Sequence, residues 1–358
     1  MSLNPNSPAA FEGPSCPIPL AHHDTIVMGH GSGGRMSYDL IRRVFMPRLS
    51  SAPLQAGNDF AGLELPHEPG RLAVSTDSHI VSPLFFPGGD IGRLAICGTV
   101  NDVAMSGAKA LYLTAGFILE EGLPVEVLER VVDSMRAAAE EAGVQIVAGD
   151  TKVVEKGKAD GLFINTAGVG WIPAEREIGG EQAQPGDAVL ISGSLGDHGI
   201  AVLAARGELG FETGVESDVA PLNGLIEAVL QAAPHTHVLR DPTRGGLATT
   251  LNEIAGQSRV SIWLDETRIP VRESVRAVCD MLGFDPLYVA NEGKVIVVVP
   301  EAEAEAALAA MRAQAYGKMA TRIGTVRAND AGRVLLRTSI GGTRLLDMLA
   351  GEMLPRIC

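Results

Sequence analysis

Val144-Gln145-Ile146-Val147-Ala148-Gly149-Asp150-Thr151-Lys152 is apolar for most of its length and then turns polar at an aspartate. Its content predicts a strand, and Ala73-Val74-Ser75-Thr76-Asp77 and Val238-Leu239-Arg240-Asp241 repeat the pattern. Upstream of Val144, residues Ala110 to Leu119 predict another strand and Pro124 to Ala142 an amphipathic helix. In that helix Leu128, Val131, Val132 and Met135 share a face, and Pro124 suits the first turn. A single aspartate after a strand is a turn former or a helix cap. A fourth, Asp102, falls near the end of a small-residue helix from about Asp90 to Met105, where Leu94, Ala95 and Gly98 give a narrow packing face. Several acids at the ends of apolar elements suit one divalent-cation site, and magnesium is the natural ion because it shares carboxylates with water and phosphate. Asp150 and Lys152 point to the same side of extended chain, as a phosphate-holding pair or as a plain surface ion pair.

The chain has 358 residues, of which 46% are hydrophobic and 20% charged, enough for two sizeable cores and two domains. A formal charge of −14, with no lysine before Lys109, argues against nonspecific nucleic-acid or anionic-membrane binding. A protein this acidic needs a cation as intermediary to handle phosphate. Cysteines at 16, 97, 279 and 358 form no Cys-x-x-Cys pair, which argues against zinc and a disulfide framework. No apolar run reaches membrane-spanning length and no signal pattern opens the chain. The expected compartment is a reducing cytoplasm, in which Cys358 stays a thiol. Residues 1–24 read as a disordered leader, with His22-His23 a solvated pair.

Gly29-His30-Gly31-Ser32-Gly33-Gly34 satisfies G-x-G-x-x-G without a following Gly-Lys-Ser/Thr, so it is either an anion cradle or a flexible turn. A helix is expected around Tyr38 to Phe45, a strand over Gly161 to Ile172, and a domain boundary from Pro173. The second half opens with a strand at Asp187 to Ser192. Gly193-Ser194-Leu195-Gly196-Asp197-His198-Gly199 then leads into a helix. Asp241-Pro242-Thr243-Arg244-Gly245-Gly246 precedes a helix starting near Leu247, and a helix N-terminus beside an arginine favours an anion. Strand-like Pro286 to Val289 and Val295 to Val299 flank Ala290-Asn291-Glu292-Gly293, in which Glu292 is a candidate general base or simply part of a turn. His235 and His237 would share one side of a strand, too few ligands for a metal. Ala302 to Ala315 reads as a structural helix. A short helix near Thr343 to Leu349 is expected before Leu354-Pro355-Arg356-Ile357-Cys358, an extended, mobile end that carries a thiol.

Taken as a set, several blocks resemble the HypE family of hydrogenase maturation proteins. They are His30 to Gly34, Ser82 to Asp90, Cys97 to Asp102, Gly149 to Val154, Arg240 to Gly246, Ala290 to Gly293 and the terminal Pro355-Arg356-Ile357-Cys358. The resemblance runs from about residue 25 to the end, and the terminal block is its most specific part. It implies a two-domain aminoimidazole ribonucleotide synthetase-like fold, α/β plus α+β, with a mobile C-terminal tail. The expected division is a leader at 1–24, an ATP- and magnesium-binding domain with dimer-forming strands at 25–172, a C-terminal domain at 173–338 and the tail at 339–358. The family's residues map onto Asp77, Asp102, Asp150 and Asp241 for magnesium. Gly31, Ser32, Gly33, Gly34, Asn101, Thr151, Thr243 and Arg244 map onto nucleotide binding.

What the resemblance implies about activity is ATP-dependent dehydration of a carbamoyl group on Cys358 to a thiocyanate. The carbamoyltransferase HypF would load the cysteine, and HypC and HypD would take the cyanide ligand onward. A homodimer is expected. Because the oxygen to be removed is a poor leaving group, ATP must first phosphorylate it; Lys152 would stabilise charge on that oxygen and Glu292 would take protons from nitrogen. One rival is a superfamily enzyme acting on a free small molecule, which would leave Cys358 without a task. Another is a non-enzymatic carrier whose tail position is set by nucleotide.

Overall fold

The computed structural model describes residues 24–358 apart from 208, 210–212, 352, 353 and 355. Except for Asp24, the expected leader with Cys16, His22 and His23 lies outside the described residues, as does Pro355.

The first half is built on a four-stranded sheet in the order Gly70–His79, Leu162–Pro173, Lys109–Glu120, Gln145–Val154. Lys109–Glu120 and Gln145–Val154 run parallel, so they need a crossover, and helix Val125–Ala142 provides it. The helix starts after Pro124 and stops at Gly143, which sits at φ 69, a left-handed conformation that glycine adopts without strain. Its buried stripe includes Leu128, Val131, Val132 and Met135, the face read from the sequence. Helix Ile91–Met105 packs against both this helix and the sheet, with every residue buried except Arg93 and Asp102. Asp90 caps it, accepting from Gly92 N at 2.7 Å and Arg93 N at 3.1 Å, while Ser134 holds its other oxygen at 2.6 Å. Close approach to the sheet requires Gly170, because a Cβ there would stand 2.4 Å from Val103 Cγ1.

The opposite face of this sheet is uncovered. Leu72, Val74 and Ile118 project from it and are 51%, 71% and 43% exposed.

The second half carries a seven-stranded sheet in the order Thr343–Leu346, Arg333–Arg337, Ser261–Asp265, Thr321–Arg327, Ala188–Ile191, Ile296–Val299, Val238–Arg240. All neighbours are antiparallel except Arg333–Arg337 against Ser261–Asp265. Helix Gly246–Ser258 packs on one side of this sheet, and helices Asn223–Ala232 and Ala304–Ala313 pack together on the other core.

Three local expectations are corrected. Pro286–Tyr288 is a 3₁₀ turn, because Asp285 caps it by accepting from Leu287 N at 3.0 Å. The segment near Thr343 to Leu349 is not a helix: Thr343–Leu346 completes a hairpin with Arg333–Arg337. A helix that short has too few internal bonds to compete with a strand edge. His235 and His237 precede the strand and go to separate acids, Glu303 at 2.5 Å and Asp187 at 2.8 Å.

Candidate active site

The end of the chain lies in a cleft between the two halves. Its last residues run opposite to Ile80 and Ser82: Ile80 N donates to Cys358 O at 3.2 Å, and Ser82 N donates to Arg356 O at 3.3 Å. Ile357 is 4% exposed and packs into the first half's core. The Cys358 thiol faces a cavity of about 340 Å³ lined by Ile80, Arg244, Tyr288 and Leu354, and Arg244 Nη2 donates to Sγ at 3.3 Å. Burial, with the charge of Glu292 added, pushes the thiol up to about 11 although Arg244 opposes the shift.

Four acids from four different elements influence one another electrostatically in this region, and the charges of two of them, Glu292 and Asp77, act on the thiol. Asp77 stands near the end of the first strand, and Asp102 on helix Ile91–Met105 accepts from Ser75 Oγ at 2.7 Å. Asp241 follows the short strand Val238–Arg240, and Glu292 sits in the turn before Ile296–Val299. Burial raises Asp102, with Asp77 adding to the shift. Burial and the Asp102 charge push Asp241 up to about 7. Burial, followed by the charges of Asp241, Asp218, Asp77 and Asp102, holds Glu292 well above the carboxylate range. Glu292 Oε1 is buried without a hydrogen-bond partner. This donor set fits a cation chemically, since hard carboxylate oxygens crowded out of water are what magnesium takes. In the chain as it stands, no group of three His, Cys, Asp or Glu side chains among the described residues is close enough to share one ion.

Asp150 does not join the other expected metal ligands, and strand parity gives the reason. Asp77 pairs with Thr166, which pairs with Ala115. Asp150 pairs with Gly116, which pairs with Asn165. Paired residues share a face and neighbours alternate, so Asp77 faces helix Ile91–Met105 while Asp150 and Lys152 face the uncovered side. There Lys152 Nζ bonds both Asp150 oxygens, at 2.7 and 2.6 Å, and hydrogen bonding from Lys152 lowers the aspartate. Neither Lys152 nor Asp150 lines the cavity around Cys358.

Gly31 and Gly33 line a separate cavity of about 210 Å³ with Gly149, Asp150, Thr151 and Lys152. At Gly31 a Cβ would stand 2.7 Å from Val153 N, so only glycine lets the loop lie on this strand. Ser32 Oγ turns back to Gly29 O at 2.8 Å, and Gly34 starts helix Arg35–Leu40. Thr243 O accepts from Gly246 N at 3.0 Å within the turn that carries Arg244. Asn101, expected at nucleotide, is fully committed elsewhere: its amide donates to Ala220 O at 3.0 Å and Glu292 O at 3.4 Å and accepts from Leu222 N at 2.7 Å. It ties the two halves together. Arg244, also expected at nucleotide, meets the thiol. Sequence reasoning missed Asp218, whose carboxylate accepts from Glu292 N at 3.1 Å. Burial would raise that acid, but the charge of Lys294, at 3.0 Å, and the hydrogen bond from Glu292 N keep it low. His198 was visible only as part of a glycine-rich block.

Family models for the N-terminal and C-terminal domains of AIR synthase related proteins match residues 57–172 and 184–337. Fold and cleft together therefore define a two-domain AIR synthase-related protein. Carbamoyl dehydratase HypE of Azotobacter vinelandii is 56% identical over 334 residues, covering 93% of this chain and 97% of the relative. A crystal structure of HypE in complex with ATP matches 93% of this chain and 100% of its own at 55% identity and a TM-score of 0.89. A HypE–HypF complex matches 87% of this chain and 99% of its own, at 52% identity and a TM-score of 0.76. The chain belongs to the HypE family.

Proposed function

We propose that this protein dehydrates a carbamoyl group carried on its own Cys358, converting the thiocarbamate to a thiocyanate that supplies cyanide ligands to a nickel–iron hydrogenase centre. Family membership makes it an ATP-dependent carbamoyl dehydratase of hydrogenase maturation. The observation that carries the finer reading is the terminal thiol held by Arg244 within reach of the charge of Glu292.

In the reaction, the γ-phosphoryl group of ATP is transferred to the carbamoyl oxygen. The carbon–oxygen bond then breaks, phosphate leaves carrying the carbamoyl oxygen, the nitrogen gives up two protons and C≡N forms, so that the carbamoyl group loses the elements of water while ATP ends as ADP and phosphate. Glu292 is the acceptor for nitrogen protons; a buried carboxylate with a raised pKa is a strong base once ionised. Arg244, as the cation beside sulfur, offsets charge that develops near it. Magnesium held by Asp77, Asp102 and Asp241 would supply charge neutralisation for phosphoryl transfer.

We assign Asp150 and Lys152 to the site through a homodimer. Both lie on the same uncovered sheet face as Leu72, Val74 and Ile118, an apolar surface suited to pairing with a second copy. In that arrangement Lys152 stabilises the carbamoyl oxygen. HypF, crystallised in complex with a HypE relative, is the proposed carbamoyl donor, and HypC and HypD the proposed acceptors. No helix among the described residues is long and apolar enough to cross a membrane, and a reducing cytoplasm suits an enzyme that needs a free thiol.

The test is to carbamoylate the thiols with cyanate, add magnesium and ATP, and map the C-terminal peptide by mass, with Cys358 deleted as the control. Loss of one water only with ATP supports the reading. Confirmed carbamoyl-Cys358 with bound ATP and no water loss would leave the carrier reading in its place. Glu292→Gln should bind ATP and fail to dehydrate.

A further inference from the structure

Gly193 to Gly199 is a glycine-rich block that carries Asp197 and His198. It leads into helix Asp197–Ala205, and the residues near the two ends of that helix reach the tail. At the start, His198 Nε2 lies 2.8 Å from Ile357 O. Just past the end, Arg206 Nη2 donates to Arg356 O at 2.9 Å and its Nε donates to Ser82 O at 3.0 Å. Arg206 thus joins the tail to the segment it runs beside. Between them, Gly199 leaves no space: a Cβ there would meet Val289 Cγ1 at 2.5 Å and Leu354 Cδ1 at 3.2 Å.

The hydrogen bonds to His198 have only one consistent assignment. A peptide carbonyl accepts only, so Nε2 carries the proton. With the ring neutral, as full burial favours, Nδ1 accepts from Ser217 Oγ at 2.8 Å. Ser217 is itself fixed by donating its N–H to Pro87 O at 2.8 Å, and the Phe86 ring meets the imidazole edge-on at 5.4 Å. The next residue, Asp218, accepts from Glu292 N. The imidazole is thus held on one side by Ser217, whose neighbour Asp218 fixes the proposed base, and on the other by the tail.

We propose that His198 and Arg206 form a main-chain clamp that seats the C-terminal peptide and so positions Cys358 for reaction. The clamp reads carbonyl groups; side-chain contacts with the tail come from Leu354, which packs against the cores, Arg356, which pairs with Asp160, the buried Ile357, and Cys358, which meets Arg244. Both clamp residues are positioning residues, since neither touches sulfur. The proposal rests on the reading that chemistry occurs at Cys358, but seating can be measured without that chemistry.

The experiment uses full-length protein and iodoacetamide, following alkylation of the C-terminal peptide by mass. Cys97 and Cys279, both fully buried, report any general unfolding in the same sample. Arg206→Met and His198→Leu should raise the Cys358 rate about fivefold, as losing one net hydrogen bond implies, with Cys97 and Cys279 still protected. His198→Gln keeps an N–H donor and should return the rate toward wild type. An unchanged Cys358 rate in Arg206→Met overturns the clamp, as does a glutamine variant no slower than leucine. If His198→Leu exposes Cys97 and Cys279, it has unfolded and Arg206→Met decides alone. Water loss from carbamoylated protein is measured separately: failure there in wild type sinks the dehydratase reading, while the alkylation result still decides the clamp.

Discussion

Replacing Asp241 with asparagine should stabilise the nucleotide-free protein while abolishing its activity, and the stabilisation should depend on pH. Asp241 titrates at about 7 in the fold against an ordinary 3.8, chiefly because it is buried and because Asp102 lies near. Between those values the folded state holds a proton that the unfolded chain has released. Stability therefore falls as pH rises from about 4 to 7, and the full deficit is present above 7. A shift of this size corresponds to roughly 4 kcal/mol, and partial solvent access at this half-buried site brings the expectation down to about 2 kcal/mol. Asp241→Asn keeps the shape and removes the charge. Urea unfolding of both proteins, free of nucleotide and metal, should show the variant about 2 kcal/mol more stable at pH 8 and nearly equal at pH 4. Magnesium should narrow the gap at pH 8 by stabilising wild type alone. Equal stability at pH 8, or the same gap at both pH values, would refute the argument that crowded, poorly solvated acids destabilise this cleft.

Other consequences can be checked independently. With Cys358 held at about 11 rather than 9.0, its thiolate fraction at pH 8 is about 100-fold below that of a free thiol, so iodoacetamide should label it correspondingly more slowly than the same peptide in isolation. Equal rates would mean that the tail is not seated. Gly31→Val should weaken ATP binding about tenfold in calorimetry, because its Cβ cannot fit 2.7 Å from Val153 N and the loop must lift from the strand. Val74→Glu places charge on the exposed sheet face and should turn the proposed dimer into monomers by light scattering. A dimer of unchanged mass would put the interface elsewhere.

How much could be read in advance depended on how local the determining interactions were. Helix Val125–Ala142 was legible because its apolar period, the preceding Pro124 and the terminal Gly143 all lie within one stretch of chain. The acids after strands were legible as a class for the same reason. Their grouping was not. Whether Asp77 and Asp150 share a face depends on which strands pair and in what register, information that neither stretch contains. Asn101, assigned to nucleotide by the family resemblance, also hydrogen-bonds Ala220 and Leu222, more than a hundred residues away, which no local pattern announces. Pro286–Tyr288 misled because apolar content was read as a strand, although Asp285 and Pro286 together spell a capped turn. His198 and Arg206 carried no local signal, since their partners belong to the end of the chain.

The hydrophobic clusters do not respect the boundary between the two family domains. Val202, Val219, Ala290 and Ile357 pack into the first half's core, while Ala104 and Met105 belong to a cluster of the second. Neither half closes its own interior, and Asn101 binds backbone across the same seam. The molecule should therefore melt as one cooperative unit, with a single calorimetric transition, and either half expressed alone should aggregate through the surface its missing neighbour would have covered.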